Sequence, residues 1–279
     1  MKPRPEPGRG GTRAVTSLQN ERVKLIRSLY MRKVRRETGL FVAEGASVLV
    51  AARDAGWKPA ILVFLAGSAT AGVARDLLVW AQAAGAECLQ VSQAVLGKLA
   101  AKDNPQTMLA VFEQRWEGLP APPAAESAHL WVVLEGVRDP GNLGTIIRTA
   151  DAVGASGIVL IGASVDPYSR EAVRATMGSI FSVPLVRATQ EDGLKWIARW
   201  PGDVVGTRLD AKEDFRATTY RQPSLLLMGS EGPGLSSELS AACNRLVKIP
   251  MAGRLDSLNL AVATALMLYE MRKEQLRPE

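Results

Sequence analysis

Apolar and polar residues alternate along most of the chain in blocks that predict strands and helices in turn. Runs such as ILVFLAG, LWVVLEG and GIVLIG have the length of strands, and segments with apolar residues at helical spacing lie between them. Strands that alternate with helices predict an α/β fold with a mostly parallel sheet covered on both faces. No apolar run approaches the ~20 residues that a membrane helix needs, so we expect a soluble protein without a membrane partner.

The predicted elements divide the chain into two domains. Residues 1–16 are rich in Pro, Gly and Arg and predict a disordered basic tail. Residues 17–114 predict a small α/β domain that begins with an amphipathic basic helix. Residues 115–128 contain several Pro and Ala residues and predict a stiff linker. Residues 129–279 predict a second α/β domain with the richer set of turns.

Positive charge is concentrated at the start of the chain. Residues 1–36 contain eleven basic and two acidic residues, a net charge of +9, whereas the rest of the chain has 23 basic and 26 acidic residues. Clustered Lys and Arg side chains favour a polyanion, because binding releases counterions from phosphates. A solvated helix face with a flexible tail explains the same pattern, and charge alone does not separate the two interpretations.

Cysteine and histidine are too few for several kinds of chemistry. Cys88 and Cys243 are far apart and have no CxxC spacing, and His129 is the single histidine. We therefore expect neither a structural disulfide nor a metal site, and both cysteines are interpreted as ordinary buried side chains. A hydrolytic triad would depend entirely on His129, which argues against that class. The low cysteine content favours the reducing cytoplasm.

The first unusual loop of the second domain is DPGNLGTIIRTAD, residues 139–151. Pro140 and Gly141 predict a tight turn, after which Asn142 stands where it can cap a helix that begins near Leu143. Arg148 follows Asn142 by a little under two helical turns, so both side chains could point into one region. A plain cap and a plain surface charge are the alternative interpretations.

Two further loops follow predicted strands. The segment LLLMGSEGPGLSSEL, residues 225–239, has three glycines and leaves Glu231 at the end of an apolar strand. An incomplete dinucleotide-binding pattern makes a phosphate loop a weak interpretation. The segment VKIPMAGRLDSLNLAVA, residues 247–263, leads into Asp256, Ser257 and Asn259 at the start of the last helix, where a plain N-cap is the simplest role.

Together, these three segments closely resemble the signature motifs of the SpoU, or TrmH-like, RNA ribose methyltransferases of the SPOUT superfamily. The likeness runs from Trp131 to Lys273, with the motifs in the family's order and spacing. The segment RVKLIRSLYMRKVRRETGLFVAEGASVLVAA also looks like the small substrate-binding domain often fused to these enzymes. This second likeness favours RNA as the polyanion.

The resemblance implies a trefoil knot in residues 129–279 and a homodimer whose active site is completed across the subunit interface. It also implies methyl transfer from S-adenosylmethionine to a ribose 2′-hydroxyl of structured RNA, with large-subunit (23S) rRNA favoured over tRNA. The implied catalytic residues are Arg148, Asn142, Glu231, Ser257 and Asn259. The implied cofactor-binding residues are Met228, Gly229, Ser230, Gly234, Ile249, Pro250, Met251, Leu258 and Asn259. The basic residues expected to contact RNA are Arg22, Lys24, Arg27, Arg32, Lys33, Arg35 and Arg36.

The resemblance implies that Arg148 activates the ribose hydroxyl, but a guanidinium is a very poor base. We expect Arg148 to bind the adjacent phosphate and to stabilise the developing alkoxide, with Glu231 holding Arg148 in place. We expect Gly229 to let the cofactor approach the backbone.

Two positions depart from the family's pattern. Ser169, Arg170 and Glu171 replace a Ser-Pro-Lys-like segment, and Ala261 stands where relatives often have Ser. The alternative functions are tRNA 2′-O-methylation, a catalytically silent RNA-binding assembly factor of the same fold, and a nucleotide-cofactor enzyme acting on small molecules.

Overall fold

A computed structural model describes residues 11–100, 106–125 and 127–276. These residues form two compact units. Unit 1 comprises the described residues up to Gln114 together with Asp166–Ser182. Unit 2 comprises the described residues of Arg115–Val165 and those from Val183 onward.

Unit 1 contains a mixed sheet. Within the described residues, the strands of this sheet are β1 (Thr12–Val15), β2 (Leu40–Glu44), β3 (Ile61–Leu65), β4 (Glu87–Val91) and β5 (Met108–Glu113). Their spatial order is β1-β4-β3-β5-β2. Strands β1, β4 and β3 are parallel, whereas β5 is antiparallel to β3 and β2. The helices from the N-terminal part of the chain are α1 (Glu21–Ser28), α2 (Arg32–Thr38), α3 (Ala46–Asp54), α4 (Gly72–Ala83) and α5 (Gln93–Leu99).

The prediction of a disordered tail over residues 1–16 is wrong for residues 12–15. These residues form β1, which pairs in parallel with Cys88–Val91 of β4. Val15 is buried in the core of unit 1, and an apolar anchor of this kind compensates for the entropy lost when the segment becomes ordered. Residues 1–10 lie outside the described part of the chain.

The single basic helix predicted from Ser17 is two helices, α1 and α2, separated by a break at residues 29–31. The break leaves the carbonyl groups of Leu29 and Tyr30 without helical partners. Arg35 supplies these partners, because its Nη1 donates to the Leu29 carbonyl at 2.8 Å and to the Tyr30 carbonyl at 2.9 Å. Helical periodicity alone does not reveal such a break, because the apolar residues of both helices keep the same spacing.

The chain from Leu130 supplies the remaining elements. They are β6 (Leu130–Glu135), α6 (Pro140–Ala152), β7 (Gly157–Ile161), α7 (Arg170–Ala175), a 3₁₀ helix (Ser179–Phe181), β8 (Leu185–Ala188), α8 (Gln190–Ile197), β9 (Asp203–Thr207), β10 (Glu213–Asp214), β11 (Ser224–Met228), α9 (Ser237–Ala242), β12 (Arg245–Lys248) and α10 (Leu260–Arg272). The seven strands form a sheet of order β10-β12-β9-β11-β6-β7-β8. Every pair of neighbouring strands in this sheet is parallel, which confirms the predicted α/β class.

The last helix returns to the beginning of unit 2. Helix α10 packs against α6 and also contacts β11. Arg272, near the end of α10, is buried, and its Nη2 donates to the carbonyls of Ala128 at 3.0 Å and Gly154 at 3.1 Å. Burial lowers the pKa of this guanidinium from its ordinary value. Arg272 therefore joins the last helix to the segment before β6 and to the end of α6.

Residues 166–182 leave unit 2 after β7 and belong to unit 1. Tyr168 and Phe181 enter an aromatic cluster, where Tyr168 lies 4.7 Å from Phe41 and Phe181 lies 5.0 Å from Phe112 between ring centroids. The indole of Trp57 donates to the Phe181 carbonyl at 2.8 Å. The sequence pattern predicts this segment to be part of the second domain, since its helical pattern follows β7 directly.

Two ion pairs hold the same segment. Asp166 accepts from Nε of Arg35 at 2.8 Å, and both side chains are less than a tenth exposed. Arg170 forms an ion pair with Glu44, and its guanidinium lies 4.5 Å from the ring centroid of Tyr30. Arg35 and Arg170 therefore have structural roles within unit 1.

The two cysteines are free thiols. Burial raises the pKa of Cys88 to about 11 and that of Cys243 to about 12, so both thiols stay protonated near neutral pH. Within the described residues, no helix is long and apolar enough to cross a membrane. In that same part of the chain, no three His, Cys, Asp or Glu side chains come together as they would around a metal ion.

We predict that Arg35→Ala destabilises the protein by ~3–5 kcal/mol, because it leaves Asp166 buried without its cation. The matched control is Arg36→Ala, since Arg36 is the exposed neighbour of Arg35 and should change stability by less than ~0.5 kcal/mol. Urea unfolding of the full chain, followed by circular dichroism, measures both. Equal stability of the two variants would contradict a structural role for Arg35.

Candidate active site

The three loops singled out in the sequence lie at one edge of the parallel sheet. They follow β6, β11 and β12, which end at Glu135, Met228 and Lys248. Strands β6 and β11 are neighbours, and β9 separates β11 from β12. Because parallel strands share one direction, their carboxyl ends meet at the same edge, where α/β folds bind ligands.

Asp139, and not Asn142, is the N-cap of α6. The Asp139 carboxylate accepts a hydrogen bond from the backbone N–H of Asn142 at 2.6 Å, and Pro140 occupies the first turn. The prediction that Asn142 caps this helix is therefore wrong. Asp before Pro is a common helix start, so the sequence contained the signal for Asp139. The cap leaves the Asn142 side chain free for other contacts.

The Asn142 side chain joins the three loops. Its Nδ2 donates to Oε1 of Glu231 at 2.8 Å, and its Oδ1 accepts from Nδ2 of Asn259 at 2.9 Å. Asn259 is the N-cap of α10, where its Oδ1 accepts from the backbone N–H groups of Ala261 and Val262. Since the cap engages the Asn259 oxygen, its amide nitrogen must face Asn142, and this fixes the orientation of both amides.

Glu231 keeps one free oxygen in this arrangement. Its Oε1 is bonded to Asn142, whereas Oε2 is buried and has no hydrogen-bond partner among the described residues. Buried carboxylate oxygens almost always have donors, so an unpartnered one requires an explanation. A donor supplied by a ligand or by another chain would complete this site.

Arg148 does not contact Glu231. The guanidinium of Arg148 is exposed and makes no hydrogen bond or ion pair with any residue in the described part of the chain. Arg148 follows Asn142 by six positions on α6, which turns its side chain by ~120° around the helix axis. The expectation that Glu231 holds Arg148 is wrong within one chain, because Glu231 bonds to Asn142 and Arg148 points from a different face of α6 than Asn142 does.

The loop after β11 folds back on itself. Gly234 N–H donates to the Ser230 carbonyl at 3.1 Å, directly after Met228 and Gly229. A Cβ atom on Gly229 would lie 2.0 Å from the Gly234 carbonyl carbon. The backbone of this loop therefore requires glycine at position 229. This contact within the loop is by itself a sufficient reason for glycine at position 229.

Glu135 also positions this loop, and no motif in the sequence indicates this role. Its Oε2 accepts from the backbone N–H of Ser236 at 2.8 Å. Ser236 in turn caps α9 through a hydrogen bond from Leu239 N–H. The end of β6 thereby holds the start of the helix that follows the glycine loop.

The loop after β12 is the most open part of the site. Ile249 is half-buried, but residues 250–259 are exposed, including Ser257 and the apolar side chains of Met251 and Leu258. The peptide groups of residues 250–258 make no hydrogen bonds with other described residues. Leu255, which sequence reasoning missed, is 74% exposed in the same loop. Free peptide groups beside exposed apolar side chains form a surface for a ligand that has both polar and apolar parts.

These properties fit S-adenosylmethionine. The adenine ring has apolar faces and a hydrogen-bonding edge, which match the side chains and free peptide groups of residues 250–258. The loop over residues 228–234 lies at the same edge of the sheet. Of the predicted cofactor residues, Met228 is buried in the sheet and Ser230 is half-buried in the turn, so their backbone groups are the parts available to a ligand.

The basic residues of unit 1 differ in accessibility. Arg35 is 4% exposed, so its predicted contact with RNA is wrong. Arg22 is half-buried and pairs with Glu87 at 2.6 Å. The exposed basic residues of the predicted set are Lys24, Arg27, Arg32, Lys33 and Arg36. Lys24 and Lys33 have acidic neighbours on the same helix, but such exposed pairs are weak and do not prevent phosphate contacts.

Comparison with protein families assigns both parts of the chain. Residues 129–269 match the SpoU rRNA Methylase family, and residues 20–110 match the MRM3-like substrate binding domain. The chain is 34% identical to an uncharacterized tRNA/rRNA methyltransferase of Synechocystis, over 94% of each chain. It is 33% identical to the 23S rRNA (uridine(2479)-2′-O)-methyltransferase of Streptomyces viridochromogenes, over 88% of this chain and 86% of that protein.

A solved structure shares nearly the whole fold. The AdoMet-bound rRNA methyltransferase from Sinorhizobium meliloti is 44% identical and superposes with a TM-score of 0.88, covering 95% of this chain and 99% of that one. The family match, the two-unit architecture and the loop geometry agree. The chain therefore belongs to the SpoU rRNA methylase family and is an S-adenosylmethionine-dependent RNA methyltransferase with an N-terminal substrate-binding domain.

Proposed function

We propose that this enzyme methylates the ribose 2′-hydroxyl of a nucleotide in 23S rRNA. The observation that carries the proposal is the Asn142 amide, which holds Glu231 and Asn259 together and leaves a buried carboxylate oxygen of Glu231 unpartnered. The Streptomyces relative named above is a 23S rRNA 2′-O-methyltransferase that matches this chain over both domains. An rRNA substrate would place the enzyme in the cytoplasm.

When bound, S-adenosylmethionine supplies a strongly activated methyl group, so the protein has little covalent chemistry to perform. Alignment of the reacting groups can supply up to ~7–11 kcal/mol of the lowered barrier. We infer that Asn142 and Asn259 fix Glu231, and that the free Oε2 accepts a hydrogen bond from a group in the assembled site. Ser257 and Leu258 lie in the exposed loop before Asn259, where they can contact cofactor or ribose.

We infer that Arg148 stabilises negative charge and does not accept the proton. A guanidinium has five N–H donors that match phosphate and alkoxide oxygens, and it has no acceptor atom. We infer that Arg148 binds the phosphate next to the target ribose and stabilises negative charge as it develops on the 2′-oxygen. The proton then leaves to that phosphate or to water.

We further propose a homodimer in which Arg148 of one subunit completes the other subunit's site. Arg148 and the Asn142 network point from different faces of α6, so one chain does not bring them together. The outer face of α10 is apolar, with Val262 50%, Leu266 40% and Tyr269 54% exposed at helical spacing. Since α10 packs on α6, the helix that contains Arg148, we infer that a second copy covering this stripe lies near Arg148. The partner subunit's Arg148 could then reach the free oxygen of Glu231.

We predict that the protein transfers tritiated methyl groups from S-adenosylmethionine to a 23S rRNA transcript and not to bulk tRNA. Arg148→Ala should reduce kcat by ~100- to 1000-fold, which is the cost of losing one donor to a developing oxyanion. Arg216→Ala removes another exposed arginine of unit 2 and should retain full activity. Methylation of tRNA alone would identify the alternative substrate. Tight RNA binding without methylation of either RNA would indicate a silent factor.

We predict that Glu231→Gln reduces kcat by ~100-fold and leaves the Kd for S-adenosylmethionine within about twofold. Glutamine keeps an oxygen that can accept from Asn142, but it replaces the free oxygen with an NH₂ group that only donates. Isothermal calorimetry and single-turnover methylation measure the two quantities. A fully active Glu231→Gln enzyme with an unchanged melting temperature would show that the free oxygen has no role.

The shared site can be tested with heterodimers. Differently tagged Arg148→Ala and Glu231→Gln chains are coexpressed and purified through both tags, so that each dimer contains one of each. If the site is completed across the interface, one of the two sites is intact, and we predict about half of the wild-type activity per dimer. If both residues act in one chain, each site has a defect, and the heterodimer should be as inactive as the single variants.

A further inference from the structure

An open cleft of about 950 Å³ lies beside β8, which is the outermost strand on one side of the unit 2 sheet. One wall is the linker segment 119–122, and the other is formed by α8 and the end of β8. The cleft is separate from the Asn142 network and is not needed to explain methyl transfer. Its volume is that of a site for a small molecule or a nucleotide.

The linker wall is fixed to the rest of unit 2. Glu117 N–H donates to the Leu185 carbonyl at 2.9 Å, so the linker continues the sheet beyond β8. The indole N–H of Trp196 on α8 donates to the Pro120 carbonyl at 2.8 Å. Proline adds stiffness, because its ring restricts the backbone. The linker wall of the cleft is thus held to both β8 and α8 by hydrogen bonds.

The charged side chains of the cleft are mostly cationic. Arg187, Lys195 and Arg199 line it, and Asp192 is its only carboxylate among the described residues. Asp192 already accepts a hydrogen bond from the Thr189 hydroxyl at 2.7 Å. Lys195 pairs with Glu191 at 2.5 Å outside the cleft, in an exposed contact that phosphate can replace. No hydrogen bond or ion pair within the described residues involves the Arg199 guanidinium.

Arg187 provides a flat surface in addition to its charge. Its guanidinium lies 4.0 Å from the centroid of the Trp116 ring, and Arg187 is exposed. This contact holds the guanidinium against the indole, and an accessible face of a fixed guanidinium stacks well on a nucleobase. Leu119 and Pro120 give the cleft an apolar wall. The combination suits a ligand with one aromatic ring and neighbouring phosphates.

The cleft reaches the carboxyl ends of the strands, where the methyltransferase site also lies. Gly162, which follows β7, and Ala188, the last residue of β8, line it at the carboxyl ends of these strands. The loop that contains Asn142 follows β6, which is separated from β8 by β7 alone. Two strand spacings amount to ~10 Å, a distance that one or two nucleotides of an RNA strand can span.

We propose that this cleft is a second RNA subsite, which holds a nucleotide near the methylated one. The base stacks on the Arg187 guanidinium and contacts the apolar wall, while Lys195 and Arg199 bind the flanking phosphates. The proposal rests on the RNA substrate proposed above. It predicts that part of the affinity for RNA comes from unit 2, outside the basic helices of unit 1.

Filter binding of a 23S rRNA transcript at several salt concentrations tests the subsite. In Lys195→Ala/Arg199→Ala, the slope of log K against log salt should fall by ~1.4 to 1.8, since each lost phosphate contact removes ~0.7–0.9. KM for the transcript should rise at least ~10-fold, with kcat and cofactor affinity within about twofold of wild type. Lys212→Ala is the matched control, because Lys212 is exposed and lies near β10, the outermost strand on the side of the sheet opposite β8.

Cross-linking locates the contact directly. A 23S rRNA transcript that contains 4-thiouridine is irradiated with the wild-type protein, and the adducts are mapped by mass spectrometry. We expect adducts within residues 116–122 or 187–199, and Arg187→Ala should reduce them. Wild-type slope and KM in the double variant, with adducts only in unit 1 and the methyltransferase loops, would overturn the subsite and leave the proposed function intact. A wild-type chain that neither binds nor methylates RNA would remove both proposals.

Discussion

The functional residues of this enzyme are brought together by one constraint, the common direction of the strands in the unit 2 sheet. Because all neighbouring strands of that sheet are parallel, the loops after β6, β11 and β12 emerge at one edge although more than a hundred residues separate the first from the last. The cleft beside β8 opens at the same edge. A parallel sheet covered by helices leaves its loop edge as the natural place for a ligand.

At the carboxyl ends of these strands, the side-chain amide of Asn142 connects the three loops. Asn142 has one donor group directed to Glu231 and one acceptor directed to Asn259, so each of the three loops holds the other two. An amide suits this position, since a carboxylate would repel Glu231 and a hydroxyl would be too short to bridge two partners. Much of the rest of the site is left open. The loop over residues 250–258 exposes its peptide groups, and Oε2 of Glu231 is free to accept a donor.

In unit 1, two basic side chains have a structural role. Arg35 and Arg170 are buried or nearly so, and both form ion pairs that hold residues 166–182 against the N-terminal part of the chain. Burial of these cations requires well-placed carboxylates, and Asp166 and Glu44 provide them. The family match over residues 129–269 includes residues 166–182, so a segment of the methylase sequence forms part of the structural unit to which the substrate-binding domain belongs.

The sequence by itself determined the α/β class, the two kinds of domain and the chemistry of the three loops. Strand and helix periods are local properties, and the motif residues Asn142, Glu231 and Asn259 stand in recognisable loops at fixed spacing. The N-cap role of Asp139 was also predictable, because Asp before Pro is a local signal for the start of a helix. The tertiary structure decided which charges are exposed, where residues 166–182 pack, and that the Asn142 amide bonds to Glu231 and Asn259. It also decided that a linker wall and α8 enclose a cationic cleft. These properties depend on contacts between residues far apart in the chain, and hydrophobic periodicity contains no information about such partners.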